Sequence, residues 1–204
     1  MDTAFLISAF VTLFVVIDPL GLAPLFAALT HDETEGRRRA IAIRAVAIGF
    51  SILLIFGLAG EAVLEFVGIS MPAFRISGGL LLFLTALEML FERRTKRRED
   101  QAEEDRPDPS IFPLATPLIA GPGAIASMIL LSGSPNADWT TTLQVIGVMA
   151  TVLTIVLILF LGGGLLSRLL GKTGINVATR LLGMLLAALS VQFVIDGLRD
   201  LSLL

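Results

Sequence analysis

The chain has 204 residues, of which 55% are hydrophobic and 16% charged, with a formal net charge of −3. It contains no cysteine and one histidine, which excludes disulfides, thiolate metal sites, haem attachment and cysteine catalysis. Its mean hydropathy is +0.87. A soluble core of this size cannot bury so much apolar surface, and the composition therefore indicates an integral membrane protein.

The apolar residues occur in six blocks, each long enough to cross a hydrocarbon core about 30 Å thick. In chain order the predicted spans are 3–29, 40–60, 73–91, 111–131, 143–166 and 177–195. The predicted fold class is therefore an all-α integral membrane protein, with six transmembrane helices in a single transmembrane domain that covers residues 1–204.

Basic residues are concentrated on one side of this arrangement. Thirteen of the fifteen Lys and Arg residues lie in or beside the segments 30–39, 92–110 and 167–176. By the positive-inside rule this side is cytoplasmic, and six spans then place both termini on the opposite, outer side of the membrane. The segment 92–110 is predicted to be a solvated cytoplasmic linker, with docking to lipid headgroups or to a protein as the alternative. Nucleic acid is not a predicted partner, because the basic cluster is short and lacks aromatic residues.

Corresponding motifs in the two halves of the chain indicate an internal repeat. Three segments of the first half correspond, in the same order, to segments of the second half. Residues 18–24 correspond to 116–122, and Gly49 corresponds to Gly147, in both cases 98 positions later. Residues 74–78 correspond to 179–183, which lie 105 positions later. Each half holds three spans, so the second half must enter the membrane from the opposite side. The sequence therefore predicts two inverted three-helix repeats, at 1–91 and 111–204, as in many secondary transporters.

The proline pairs in these motifs are predicted to break helices 1 and 4. An internal proline removes an amide donor and clashes with the preceding turn, and backbone groups freed in a membrane must face protein or water. Glycine lets a ligand approach the backbone, and the amides at the start of the next half-helix suit a carboxylate or another anion. Purely structural kinks are the alternative. The predicted substrate- or ion-binding residues are Asp18, Pro19, Gly21 and Pro24 in the first motif, and Thr116, Pro117, Gly121, Pro122 and Gly123 in the second.

Asp18 lies near the middle of the first predicted span, where a charge costs about 2.5–3.5 kcal/mol on insertion scales. It is predicted to bind a proton, Na⁺ or a substrate amine, or to cap the half-helix that follows it. The equivalent position in the second half is Thr116, which is neutral. Charge coupling would therefore involve only one half.

Four further polar residues in the apolar segments are candidates. Arg75 and Arg180 are repeat mates near opposite faces and are predicted to act as gates or as clamps on a break, with snorkelling to the membrane surface as the alternative. Ser77 follows Arg75 closely. Gln192 is predicted to form a hydrogen bond between helices, with a ligand role as the alternative. Glu88, by contrast, is predicted only to snorkel.

These motifs resemble those of the MarC family of bacterial inner-membrane proteins, which is related to amino-acid exporters of the LysE type. The resemblance covers nearly the whole chain and is carried by residues 17–21 with Pro24 and Phe26, 75–83, 117–125, and 179–183 with Gln192 and Phe193. It implies a multi-pass fold in a bacterial inner membrane, so that both termini would lie in the periplasm. It also implies a transport activity, with neutral amino acids as a substrate class.

The leading hypothesis is a secondary transporter or exporter of a small polar solute that works by alternating access around two opposed broken helices. Its predicted partners are membrane lipids and the solute, with H⁺ or Na⁺ coupling, no other cofactor and no metal site. A homo-oligomer is left open. One alternative is a translocase of lipids or lipid-linked precursors, and the other is a non-transporting membrane scaffold. An enzyme is not predicted, because the spans contain no His, no Cys and no close pair of acids.

Overall fold

A computed structural model describes residues 3–93, 108–133, 138–162 and 165–201. Most of the predicted linker, at 94–107, and the predicted end of the fifth span, at 163–164, lie outside these residues. The described parts form eight helices and contain no strand. They are α1 (Thr3–Ile17), α2 (Pro19–Leu29), α3 (Glu35–Val67), α4 (Met71–Leu90), α5 (Ser110–Ile119), α6 (Pro122–Ser132), α7 (Trp139–Leu161) and α8 (Leu165–Asp200).

Five helical segments are long and apolar enough to cross a membrane. They are Thr3–Leu29, Glu35–Val67, Met71–Leu90, Trp139–Leu161 and Thr173–Asp200. The pair formed by α5 and α6 is bent by 52° and makes a sixth span if the two helices are counted together. The chain is therefore an all-helical membrane protein with five or six candidate spans, at the positions that hydropathy predicts.

The helix ends extend beyond the predicted spans because capping residues, rather than hydropathy, set them. Helix α3 begins after Thr34, whose hydroxyl accepts a hydrogen bond from Arg37 N at 3.4 Å. It ends at Gly68, whose φ of 82° is a left-handed conformation that glycine adopts without strain. Gly171, with φ 64°, separates the first residues of α8 from the long segment Thr173–Asp200 in the same way.

Helices α4 and α8 pack against each other in an antiparallel arrangement through small residues. A β-carbon on Gly79 would lie 2.8 Å from the carbonyl oxygen of Ser190. Near the other end of the pair, a β-carbon on Gly183 would lie 3.0 Å from Cβ of Met89. Because these positions lack a side chain, the two backbones approach closely, as is common between membrane helices.

Most of the other packed pairs join the first half of the chain to the second, and α6 also packs on α7. Helices α1 and α2 contact α7 and α8, helix α3 contacts α5, α6 and α7, and helix α4 also contacts α6. The ring of Phe26 on α2 stacks on that of Phe160 on α7, with centroids 4.2 Å apart, and the Arg38 guanidinium lies 5.6 Å from the Phe26 centroid. The two halves therefore interleave and share one core.

The start of α5 is tied to α3 by a charged contact. Asp108 Oδ2 accepts from Arg44 Nη1 at 2.6 Å, and its other oxygen accepts from the Ser110 hydroxyl at 2.6 Å and the Ser110 amide at 3.0 Å. These bonds from Ser110, together with Arg44, hold the pKa of Asp108 below its ordinary value. A charged Asp108 therefore fixes where the bent segment begins.

Candidate functional site

The first apolar segment is interrupted at a single residue, Asp18. It lies between α1 and α2 with φ 59° and ψ 64°, a left-handed conformation that Asp tolerates better than most residues. Proline at position 19 disfavours a helical conformation for the residue before it. The Asp18 carboxylate is buried and accepts a hydrogen bond from Gly21 N at 3.1 Å, so it caps α2. The capping role left open by the sequence is therefore present.

Pro24 does not contribute to this interruption. It lies inside α2, and the backbone bonds from Asp18 N to Phe14 O and from Leu22 N to Asp18 O continue the helical pattern across residue 18. Of the predicted proline pair, Pro19 therefore lies directly after the interruption, whereas Pro24 lies inside the helix that follows it. One missing amide at Pro24 costs a single hydrogen bond, which a helix buried in protein can tolerate.

The interruption in the second half is larger. Phe112 and Thr116 each precede a cis proline and have extended backbones, with φ, ψ of −128°, 127° and −133°, 125°, so α5 is an irregular π-type helix. Ala120 and Gly121 then separate α5 from α6. A β-carbon on Gly121 would lie 2.5 Å from the Pro117 carbonyl oxygen, so only glycine fits this close approach. Among the residues that the structure describes, no side chain caps the first amides of α6.

A cavity of about 190 Å³, which we call the Gly121 cavity, lies beside this interruption. Helix α4 contributes Leu81, Leu84, Thr85 and Glu88 to its wall, α1 contributes Val16, and the α5–α6 junction contributes Pro117, Leu118, Ile119 and residues 121–124. The last turn of α1 packs directly against this junction, because a β-carbon on Gly123 would lie 3.2 Å from Val16 Cγ1. The cavity therefore forms where α1, α4, α5 and α6 meet.

Only some of the residues predicted from the proline motifs lie in this wall. Pro117, Gly121, Pro122 and Gly123 line the Gly121 cavity. Asp18, Pro19, Gly21, Pro24 and Thr116 are outside the wall, although Asp18 follows Val16 by only two residues. The structure thus brings the second motif to the cavity and places the end of α1, rather than the Asp18 carboxylate, against it.

Arg75 and Arg180 join α4 to α8 at opposite ends of the pair. Arg75 is buried, at 6% exposure, and forms an ion pair with Asp200. Arg180 Nη2 lies 2.6 Å from Glu92 Oε1 in a more exposed pair. Both arginines therefore connect the α4 end of the chain to α8, and their roles as gates or as clamps on a break stay predictions.

Ser77 and Gln192 have local partners. Ser77 Oγ donates a hydrogen bond to Phe74 O, 3.0 Å away on the same helix. The Ser77 residue also lines a separate groove of about 520 Å³ between α3, α4 and α6. Gln192 is exposed, and its Nε2 donates to Asp196 Oδ1 at 2.8 Å, one turn further along α8. The interhelical bond predicted for Gln192 is therefore wrong. Ser190 is on the α8 face that contacts α4, and residue 192 is rotated about 200° from it.

Sequence analysis missed two residues of the Gly121 cavity, Thr85 and Glu88. A signal was present, because positions 81, 84, 85 and 88 have the spacing of one helical face and include the acidic residue in the apolar segment of α4. From the sequence, Glu88 is predicted only to snorkel to the membrane surface. The described residues form no cluster of three or more acidic or His side chains that would hold a metal ion.

Two further cavities lie at opposite ends of the helices. One, of about 680 Å³, is lined by the α2–α3 connection, including Thr30, His31, Arg38 and Arg39. The other, of about 340 Å³, is at the start of α4 and the end of α8 and contains the Arg75 and Asp200 pair.

The apolar spans, the interleaved halves and the cavity at a bent helix define a multi-pass α-helical membrane protein. More specifically, the chain belongs to the MarC family: the family model described as "MarC family integral membrane protein" matches residues 3–202. The resemblance inferred from the motifs is thus confirmed.

Similar proteins cover almost the same length. A UPF0056 membrane protein of Archaeoglobus fulgidus is 38% identical over 97% of this chain and 93% of its own. A UPF0056 membrane protein of Aquifex aeolicus is 38% identical over 96% of this chain and 92% of its own length. The UPF0056 inner membrane protein YhgN of Escherichia coli K12 is 36% identical over 95% of this chain and 96% of its own length. No solved structure matches the chain.

Proposed function

We propose that this protein is a secondary transporter or exporter of a small polar solute, with the solute site in the Gly121 cavity. The observation that carries the proposal is this small cavity beside a helix interruption, which is lined by the adjoining ends of α5 and α6 together with Thr85 and Glu88. Discontinuous helices that present such groups are the usual solute sites of secondary transporters. A neutral amino acid fits this proposal, because the uncapped start of α6 suits its carboxylate.

We infer that the two halves are inverted repeats that move against each other. Exchanging α1–α2 with α5–α6, α3 with α7 and α4 with α8 relates the contacts of α1 and α2 with α7 to those of α5 and α6 with α3. It also relates the contact of α2 with α8 to that of α6 with α4. The antiparallel pair of α4 and α8 contains Arg75 at one end and Arg180 at the other, as repeat mates require. This pattern supports alternating access, with the basic end of the helices facing the cytoplasm.

Flux measurements in liposomes test the proposal. We expect purified protein to carry labelled neutral amino acids across the bilayer when an H⁺ or Na⁺ gradient is imposed. Asp18→Asn keeps an acceptor for Gly21 N but removes the charge, so loss of gradient dependence in this variant assigns ion coupling to Asp18. The absence of flux for every neutral amino acid, with folded protein, would contradict the proposal.

One observation favours a second candidate, a lipid translocase. The groove of about 520 Å³ between α3, α4 and α6 has Ser77 as its polar side chain, and it shares Leu81 and Pro122 with the Gly121 cavity. An acyl chain could occupy this groove while a headgroup occupies the cavity. Transbilayer movement of fluorescent phospholipid in the same liposomes, without amino-acid flux, would favour this candidate.

A further inference from the structure

The Gly121 cavity lies along the same helices as the cavity of about 340 Å³ at the start of α4, which we call the Arg75 cavity. Each of the two is lined by residues of α1, α4 and α6. On α1, Ser8 lines the Arg75 cavity and Val16 lines the Gly121 cavity. These two residues are separated by about 12 Å of helix, at 1.5 Å per residue. A short stretch of packed helix therefore divides the two cavities.

Helices α1 and α6 run antiparallel along this stretch. At one end, a β-carbon on Gly123 would lie 3.2 Å from Val16 Cγ1. At the other end, Ser8 and Leu131 both line the Arg75 cavity. The two ends are equally far apart in sequence on both helices, so the midpoints of the two stretches lie at the same level.

Hydroxyl groups occupy both midpoints, on Thr12 of α1 and on Ser127 of α6, and both residues are fully buried. Ser127 Oγ donates to Gly123 O at 2.9 Å, which leaves its oxygen able to accept a hydrogen bond. Thr12 Oγ1 has no hydrogen-bond partner among the residues that the structure describes, a condition that only Ser132 Oγ shares there.

The state of the Thr12 hydroxyl is unusual for a helix. Such a hydroxyl ordinarily donates to the carbonyl four residues earlier, as do those of Ser51, Thr85, Thr151 and Thr154. A buried hydroxyl without a partner costs free energy, which a hydrogen bond to a ligand would offset. Thr12 also shares a helix face with Ser8 and Val16, because four residues separate each from the next. The unpartnered group therefore lies on the face that joins the two cavities.

Leucine side chains close this stretch in the present conformation. A β-carbon on Gly78 of α4 would lie 2.9 Å from Leu130 Cδ1 of α6. Leu82 Cδ2 of α4 would be 3.4 Å from a β-carbon on Gly123. Side chains change rotamer much faster than packed helices move, so a closure made by leucines is reversible.

We propose that this stretch is the passage between the Arg75 cavity and the Gly121 cavity, and that the Thr12 hydroxyl binds the solute within it. The inference rests on the Gly121 cavity being the solute site proposed above. It adds the route by which the solute reaches that site from the end of the helices opposite the basic one. Hydroxyl groups donate and accept hydrogen bonds but carry no charge, so Thr12 and Ser127 suit a solute without net charge.

The reaction of Thr12→Cys with a membrane-impermeant thiol reagent, in oriented proteoliposomes of the full chain, tests the passage. We expect reaction from the side on which the Arg75 cavity lies. Leu13→Cys is the matched control, because Leu13 is fully buried at nearly the same depth but about 100° around α1. It should react at least about tenfold more slowly, since only local unfolding would expose it. If Thr12→Cys does not fold, Ser127→Cys at the same level is expected to react instead.

Thr12→Val separates a binding role from a structural one. Valine has nearly the shape of threonine, and no hydrogen bond of the Thr12 hydroxyl to a described residue is lost, so the unfolding midpoint should not fall. The flux of labelled L-alanine should fall about tenfold, which corresponds to one hydrogen bond of about 1.4 kcal/mol. Thr154→Val, at an exposed position of α7, is the control and should leave the flux unchanged.

Equal reaction of Thr12→Cys and Leu13→Cys, or no reaction of folded Thr12→Cys, would overturn the passage. Unchanged flux in Thr12→Val, or a lower unfolding midpoint, would overturn the assignment of Thr12. Reaction of Thr12→Cys in a protein that carries no solute would contradict transport and the binding role of Thr12, but would support the passage. Flux in the wild type with an unreactive Thr12→Cys would contradict the passage and leave transport standing.

Discussion

Replacing Gly79 by alanine is expected to lower the free energy of unfolding by about 2 to 3 kcal/mol. The new β-carbon would lie 2.8 Å from the Ser190 carbonyl oxygen and 2.8 Å from Val194 Cγ2. A backbone atom cannot move aside as a flexible side chain can, so α4 and α8 must separate along their whole interface. Reversible denaturation in mixed micelles, followed by circular dichroism, measures the loss.

Gly147→Ala is the matched control for this change. Gly147 is an exposed residue inside α7, and a β-carbon there would meet no atom within 4 Å. Alanine is the better helix former by about 0.5 to 1 kcal/mol, so this variant should be as stable as the wild type or more stable. Equal destabilisation by the two changes would contradict the close packing of α4 on α8.

Arg75→Met is expected to destabilise the protein by about 3 kcal/mol, whereas Arg180→Met should cost less than about 1 kcal/mol. Methionine replaces most of the arginine stem, so the two variants differ mainly in the ion pair that is lost. The Arg75 side chain is 7% exposed, and its removal leaves Asp200, whose side chain is 33% exposed, without its counter-charge. The pair of Arg180 and Glu92 is 53% and 40% exposed, so water replaces most of the lost interaction.

The double variants Arg75→Met/Asp200→Asn and Arg180→Met/Glu92→Gln complete this comparison. Removing the Asp200 charge should recover part of the stability lost in Arg75→Met, because no uncompensated charge then remains. The Glu92 change should add almost nothing to Arg180→Met. Similar losses for both arginine variants would show that burial of the Arg75 pair does not contribute as described.

Hydropathy and charge could predict the spans because each depends only on residues that are near in sequence. The predicted segment 3–29 coincides with Thr3–Leu29, and 73–91 differs from Met71–Leu90 by two residues or fewer at each end. The motifs likewise identified the MarC family, because the residues around Pro19 and Pro117 are specific.

The sites were harder to predict because they depend on which helix face is covered. An apolar helix in a membrane shows no polar face, so sequence alone could not distinguish the exposed Gln192 from the buried Ser190 two residues earlier. The same limit concealed Glu88, which lines a cavity only because α5 and α6 bend beside α4. That bend depends on the extended backbone at Thr116 and the close approach at Gly121, neither of which a hydropathy pattern records.

A single cysteine in place of Thr85 tests most directly whether the Gly121 cavity is an alternating-access solute site, because Thr85 lines the cavity. The chain has no native cysteine that would also react. The measurement is the reaction of Thr85→Cys, in oriented proteoliposomes, with a membrane-impermeant thiol reagent added to one side at a time. Ser51→Cys is the control. Ser51 is exposed inside the candidate span Glu35–Val67, so it faces lipid rather than water, and a cysteine there should not react from either side. We expect Thr85→Cys to react from both sides, and a transported solute to slow the reaction. Reaction from one side only under every gradient and solute condition, or no reaction at all, would contradict this role of the cavity.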